Sequence, residues 1–336
     1  MQDVLDFIPS GVMPTGYIRD DAQIARVQAQ IAIACSAGPG ISGSCKRAIA
    51  KGVHYHNLTS YLAAFIAKGG FVSSKRRLID CGPDGKILEP LGQQTGICDG
   101  CSFGEAVLVS WAAKWEKTKS GPRPRECSFL WPYLAGRDMG LVPRGDSGAI
   151  PPLSAELYHS VGAMPVDLSG PWDLMNRPPH GKGSQEELCI ALRDQPTLPP
   201  DLVAAVQNYR CVVYSPQDAW DVADCLESLR AVTFGCSGQA QETRPGGTGI
   251  SSLYRLGGHE TFASGWFTWK GRLGFIKTES WWNVLYPGSQ WPDHRVVIQT
   301  DDGERRLYPG QCALWADEWM TWQPESWAID APGSRK

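Results

Sequence analysis

The sequence has no long apolar run. Its longest stretches of that kind, such as Tyr61 to Ala67, fall far short of a membrane-spanning helix. No secretory leader is expected from the acidic start Met1-Gln2-Asp3, which no apolar segment follows. Charge is sparse at 20% of residues, with a net value of −3. The densest basic run, Lys75-Arg76-Arg77, is too short for a nucleic-acid footprint, and nothing favours an anionic membrane. No internal repeat and no low-complexity segment is present. The pair Cys98-x-x-Cys101 has no second Cys-x-x-Cys and no His-x-x-x-His to complete a zinc site, and no βαβ setting for a redox role. The expectation is a soluble protein made in a cytoplasm, with no cofactor, no metal, no nucleic-acid partner and no membrane span.

What is present fits one large domain or two small ones: 336 residues, 42% of them hydrophobic. Eleven cysteines, an odd number, run from Cys35 to Cys312 without a dense framework. That distribution fits reduced, buried thiols. Of the 14 tryptophans, most follow residue 265, which predicts an aromatic core in the C-terminal part, with an interface as the alternative.

Helical signals come first along the chain. Asp20-Asp21 precedes Ile24, Val27 and Ile31 on one face, and Gly38-Pro39-Gly40 stops the run. Asn57-Leu58-Thr59-Ser60 opens a second helix, closed by Gly69-Gly70; without a leader its Asn-x-Thr triplet reads as a cap. Residues 98 to 117 give the clearest helix, with Phe103, Val107 and Trp111 on one stripe. A Gly- and Pro-rich region follows, with a helical run near Ser154 to Val161 and an irregular loop over 165 to 184. Gly145-Asp146-Ser147-Gly148 reads as a turn, and His54-Tyr55-His56 as exposed loop. After residue 230 the pattern turns to strands: 231–234, 259–269, 272–277 and 296–300, with Trp269-Lys270-Gly271-Arg272 as a hairpin turn. Helices first and strands later predict an α+β domain.

Two distant groups stand out as chemistry. Cys98 opens a helix, whose N-terminus carries about half a positive charge and favours a thiolate. Gln93 and Gln94 lie just upstream, and a side-chain amide can donate to a developing oxyanion. His259 begins a strand. Folding the hairpin about Lys270-Gly271 pairs residues whose numbers sum to roughly 541, which sets His259 opposite the segment Glu279 to Trp282. A carboxylate there would hold one histidine tautomer.

The order glutamine, cysteine on a helix, histidine on a strand and then a polar residue before Ser-Trp resembles the papain-like cysteine peptidases. Gly96-Ile97-Cys98 stands where that family has Gly-Ser-Cys, and Gly257-Gly258-His259 resembles its histidine strand. Ile276-Lys277-Thr278-Glu279-Ser280-Trp281 resembles its Ile-Lys-Asn-Ser-Trp. Papain-like proteins of tailed phages are similar too: Arg144-Gly145-Asp146-Ser147-Gly148-Ala149 stands where they have an Arg and a Gly-Asp-Gly-Ser segment, and Cys236-Ser237 is similar to theirs.

The resemblance implies a helical N-terminal segment over 1–74 and a papain-like domain over 75–330, with the cysteine helix packed on the histidine sheet. It implies Cys98 as nucleophile, His259 as base, Glu279 as the group orienting it and Gln93 as oxyanion donor, acting on peptide or amide bonds. Departures leave alternatives open. The family's glutamine precedes its cysteine by six residues, whereas Gln93 stands five before Cys98 and Gln94 four. Glu279 replaces an asparagine. Cys101 competes as nucleophile, although the Gly-x-Cys step and small Gly100 and Ser102 favour Cys98. The phage likeness carries a second expectation, a non-catalytic virion structural protein (capsid or tail component) whose partners are other virion proteins.

Overall fold

Short polar side chains set the starts of the first elements. In the computed structural model, which describes residues 20–35, 42–71, 76–89, 93, 96–140, 148–174, 177, 181–191, 197–236, 240–242, 252–254, 259–278, 280, 295–321 and 325–333, Asp20 Oδ1 accepts from the amides of Ala22 and Gln23 at 3.1 and 3.0 Å. That cap opens α1 (Asp21–Cys35). After α2 (Ser44–Ala50) and β1 (Tyr55–Asn57) comes α3 (Thr59–Ala67). Asn57 Oδ1 accepts from the Thr59 amide at 3.1 Å, and the Asn57 side chain is buried, so it serves as a cap. The strands β2 (Leu78–Asp80) and β3 (Lys86–Leu88) pair with each other.

The central helix is α4 (Cys98–Thr118), ended by Lys119 in a left-handed conformation. Around it come α5 (Trp131–Asp138), α6 (Pro151–Ser160), α7 (Val166–Ser169), α8 (Gln185–Ala191) and α9 (Pro200–Val206). The segment 165–184, expected to be irregular, therefore holds a short helix and a 3-10 turn at Gly170–Trp172. Next are β4 (Val213–Tyr214) and α10 (Ala219–Glu227), the latter capped by Asp218, which accepts from the amides of Trp220 and Asp221. The strand-rich part follows: β5 (Ala231–Cys236), β6 (Ala240–Glu242), β7 (Ser252–Tyr254), β8 (His259–Trp269), β9 (Arg272–Thr278), β10 (Val297–Thr300), β11 (Gly303–Arg306) and β12 (Gln311–Trp315). The last elements are α11 (Ala316–Met320) and β13 (Glu325–Ile329).

The main sheet runs β12-β9-β8-β5-β13-β4, with β1 paired to β8 as well. Its ladders are antiparallel. The architecture is α+β: α4 lies on β8 and β5, while α10 and α11 lie near the same sheet around Phe234. The Phe234 ring meets Trp319 edge-on at 5.0 Å, and Trp266 donates its indole N–H to Glu227 at 3.2 Å. Trp111, Trp131, Trp266 and Trp327 are fully buried, so these tryptophans are core.

The β8–β9 hairpin follows its expected register closely. Trp269 faces Arg272 and Gly265 faces Ile276, on the predicted sum. The turn residues Lys270 and Gly271 both have positive φ, 52° and 73°, which a tight two-residue turn of matching twist requires. A bulge between Ala263 and Gly265 then shifts the pairing by one, and the ladder ends at Phe262–Thr278. The extra residue, Ser264, accepts a hydrogen bond from Gln311 Nε2 at 2.8 Å within a buried amide and hydroxyl network that includes Asn57 and Thr59.

One local expectation fails. His54-Tyr55-His56 is not an exposed loop: Tyr55 and His56 belong to β1, paired with Phe267 and Trp266. His54 Nδ1 lies 2.9 Å from Thr268 Oγ1, and His56 Nδ1 lies 3.0 Å from Glu227 Oε2. A three-residue strand leaves no periodicity to read, and its long-range pairing supplies the stability. No described helix is long and apolar enough to cross a membrane.

Candidate active site

Cys98 is the first residue of α4, after Ile97 at the cap position. The Cys101 amide donates back to the Ile97 carbonyl at 3.0 Å, closing the first turn. The first-turn amides otherwise have no intrahelical acceptor, which makes this end attractive to negative charge. Gly100 has a specific reason: a Cβ there would stand 1.9 Å from the Phe129 carbonyl oxygen. The helix start is thus pressed against the chain leading into α5.

Cys98 and Gln93 are fully buried, and His259, the first residue of β8, is half-buried. The Gln93 amide N–H donates to the Ser280 carbonyl at 3.0 Å, and the Ser280 hydroxyl donates to Gln93 Oε1 at 2.6 Å. With Oε1 held by Ser280, the side-chain orientation is set, and Nε2 is the atom that can donate elsewhere. Gln93 is thereby tied to the residue immediately after Glu279. Glu279 itself, Gln94, Gly257-Gly258, the Trp281 end of the motif and Arg144 to Ser147 lie outside the described residues.

The starts of α4 and β8 meet through the next residue on each. Asp99 and Glu260 are both fully buried and act on each other electrostatically, and Asp99 Oδ1 and both Glu260 oxygens have no amide, hydroxyl or cationic partner among the described residues. The Ser154 hydroxyl, from α6, donates to Asp99 Oδ2 at 2.5 Å. Burial is the main force raising Asp99, to about 6, against the opposing effects of Glu260 and Ser154. Glu260 is pushed well above the ordinary carboxylate range, first by burial and then by the Asp99 charge, with Glu325 and Cys98 adding to it. This buried acid pair was not singled out in the sequence. Its only local signal is an acid directly after both Cys98 and His259.

Cys101 stands among different neighbours. Burial comes first in raising its thiol well above the usual range, with the charges of Cys98 and Glu105 adding and Arg76 opposing. It lines a pocket with Arg76, Ser102, Glu105, Thr278 and Ser280. There Arg76 is ion-paired with Glu105 and, at 3.1 Å, with Glu126, both largely buried. Nine cysteines, those at 45, 81, 98, 101, 127, 189, 211, 225 and 312, are free and buried. Among the described residues no group of His, Cys, Asp and Glu is arranged to hold a metal.

No protein-family model and no curated protein matches the chain. The chain is similar to several solved structures of cysteine proteases. One is xylellain, a cysteine protease from Xylella fastidiosa, with 17% identity, 76% of this chain and 85% of that chain covered, and a TM-score of 0.46. The bromelain protease from Ananas comosus is 10% identical over 83% of this chain and 99% of that chain, with a TM-score of 0.41. Procathepsin L 3 of the Tenebrio molitor larval midgut is 11% identical, with 98% and 96% covered and a TM-score of 0.40.

Proposed function

We propose that the protein is a papain-like cysteine hydrolase of peptide or amide bonds. The observation that supports this reading is the buried acid pair of Asp99 and Glu260 where α4 lies on β8, each acid being next in sequence to one of the two proposed reacting residues, Cys98 and His259. His259 takes the Cys98 thiol proton, and the thiolate attacks the substrate carbonyl carbon. The Cys98 amide and Gln93 Nε2 donate to the resulting oxyanion. The imidazolium returns its proton to the leaving amine, and the C–N bond breaks to leave a thioester. His259 then activates the water that releases the acid. Glu279 is the group assigned to orient His259.

Cys98 is preferred over Cys101 because Cys101 is held protonated by burial and by neighbouring Glu105. Cys98 has no exposed surface, so substrate entry follows an opening of the site. A place in a phage particle, and a non-catalytic role there, rest on sequence resemblance alone.

The test is hydrolysis of a peptide-amide library by wild type, Cys98→Ala and Cys101→Ala. Cys98→Ala should lose turnover and Cys101→Ala should keep most of it. Equal turnover in wild type and Cys98→Ala would remove the mechanism.

A further inference from the structure

Two buried acids meet at the junction of α4 and β8, and among the described residues no cation hydrogen-bonds or ion-pairs with either. Glu260 receives no hydrogen bond from an amide, hydroxyl, guanidinium or ammonium group among the described residues. The Asp99 carboxyl accepts from Ser154 on one oxygen. The groups that act most strongly on the pair are neutral or acidic, and a buried cation on α5, Arg137, stacks on the Tyr133 ring. Glu325 lies across the sheet, with Gly235 between it and Glu260 in the ladder, and accepts from the Trp327 indole at 2.6 Å. Cys98, Cys101 and the buried tyrosines Tyr133, on α5, and Tyr158, on α6, also feel the Asp99 charge or the pair.

Two adjacent, unsolvated carboxylates without a counter-ion repel each other and lose their hydration. A single proton between them removes the repulsion and makes a strong charge-assisted hydrogen bond. The arrangement decides where that proton sits. Asp99 accepts from Ser154 and stands in the first turn of a helix, which favours its charge. Glu260 has the higher affinity of the two, so its O–H donates to the Asp99 carboxylate.

We infer that Asp99 and Glu260 form a proton-sharing latch that joins the start of the Cys98 helix to the start of the His259 strand, and so act as positioning residues for the cysteine–histidine site. This inference rests on the hydrolase reading for its catalytic consequence. The latch itself does not. Two pieces of chain far apart in sequence are held by the shared proton, one residue beyond each reacting group. When the shared proton leaves to solvent, two charges face each other and the junction is pushed apart.

Amide replacements separate the roles. Glu260→Gln keeps a donor to Asp99 and one negative charge, with no proton to lose. Asp99→Asn keeps a donor to the Glu260 carboxylate in the same way. Glu260→Ala leaves no partner. The experiment is the rate of iodoacetamide alkylation at Cys98, located by peptide mass, from about pH 5 to about pH 9. Rates are divided by those of the urea-unfolded chain, to remove ordinary thiol ionisation. Folding of each variant is checked by circular dichroism.

The wild-type normalised rate should change on the alkaline side as the proton is lost. Glu260→Gln and Asp99→Asn should give flat profiles near the wild-type neutral value. Glu260→Ala, if folded, should differ from wild type on the order of tenfold or more at all pH values. If Glu260→Ala does not fold, the two amide variants decide alone. Amide variants with the wild-type pH profile would overturn the latch. Should the profiles split as expected while Cys98→Ala retains turnover, the latch stands and the hydrolase reading falls.

Discussion

Gln93 shows how a single side chain is prepared for a role by a neighbour that plays none. Ser280 holds its Oε1 at 2.6 Å, so the amide cannot rotate to present its oxygen to an oxyanion. Gln93→Ala is expected to lower kcat by roughly 10²- to 10³-fold with a smaller effect on KM, because the lost bond strengthens only in the transition state. Steady-state kinetics on a peptide amide checks this. Ser280→Ala should give a weaker loss in the same parameter, since it frees the amide without removing it. The identities of Cys98, His259 and Gln93 as candidates were legible in the sequence through motif order. The partner of Gln93 was not, because no local pattern ties residue 93 to residue 280. The environment of Cys101 was equally hidden: the acids that disfavour its thiolate arrive from Glu105 and from burial.

At the scale of elements, the helix that opens with Cys98 is located by close approach. A Cβ on Gly100 would fall 1.9 Å from the Phe129 carbonyl oxygen, and one on Gly104 would fall 2.6 Å from the Phe129 ring. Backbone cannot swing aside as a side-chain tip can, so Gly100→Ala should destabilise by about 1–3 kcal/mol or more, measured by urea unfolding. Gly104→Ala should cost less, because a ring can rotate. The buried Arg76 gives a second test. It ties the chain before β2 to Glu105 on α4 and to Glu126, and Arg76→Ala should cost roughly 3–5 kcal/mol by leaving two acids uncompensated. The hairpin β8–β9 was legible from its turn as far as Gly265, since a Lys-Gly turn between two apolar runs fixes register through local geometry, whereas the bulge at Ser264 left no local signal. The short β1 was not, because its three residues gain their place only from a strand some two hundred positions away.

At the scale of the whole molecule, several described acids, Asp99, Glu105 and Glu260, are buried with raised affinity for protons. For Asp99 the folded value of about 6 stands above the ordinary 3.8. Its stabilising contribution is therefore full below the ordinary value and is lost as pH rises through the folded one. Raising the pH from about 4 to about 6 should lower stability by up to about 3 kcal/mol from this group, and Asp99→Asn should remove that slope. Thermal unfolding of both proteins across that window tests the sign. The overall α+β layout followed from helices preceding strands. The acid pair joining the two halves did not, since it is a property of the assembled interior.

The bulge at Ser264 has a consequence for how this protein tolerates change in length. Side chains alternate along β8, so the inserted residue resets which of them look towards α4. Removing it would join Ala263 directly to Gly265 in a regular ladder, with Ala263 still opposite Lys277 and with Glu260 and Phe262 on the face they hold now, at the cost of the hydrogen bond from Gln311. The strand behaves as a shaft with one tooth added midway: the tooth can be cut away with both ends still in phase, whereas straightening the bulge with Ser264 retained would turn Glu260 and Phe262 away from α4.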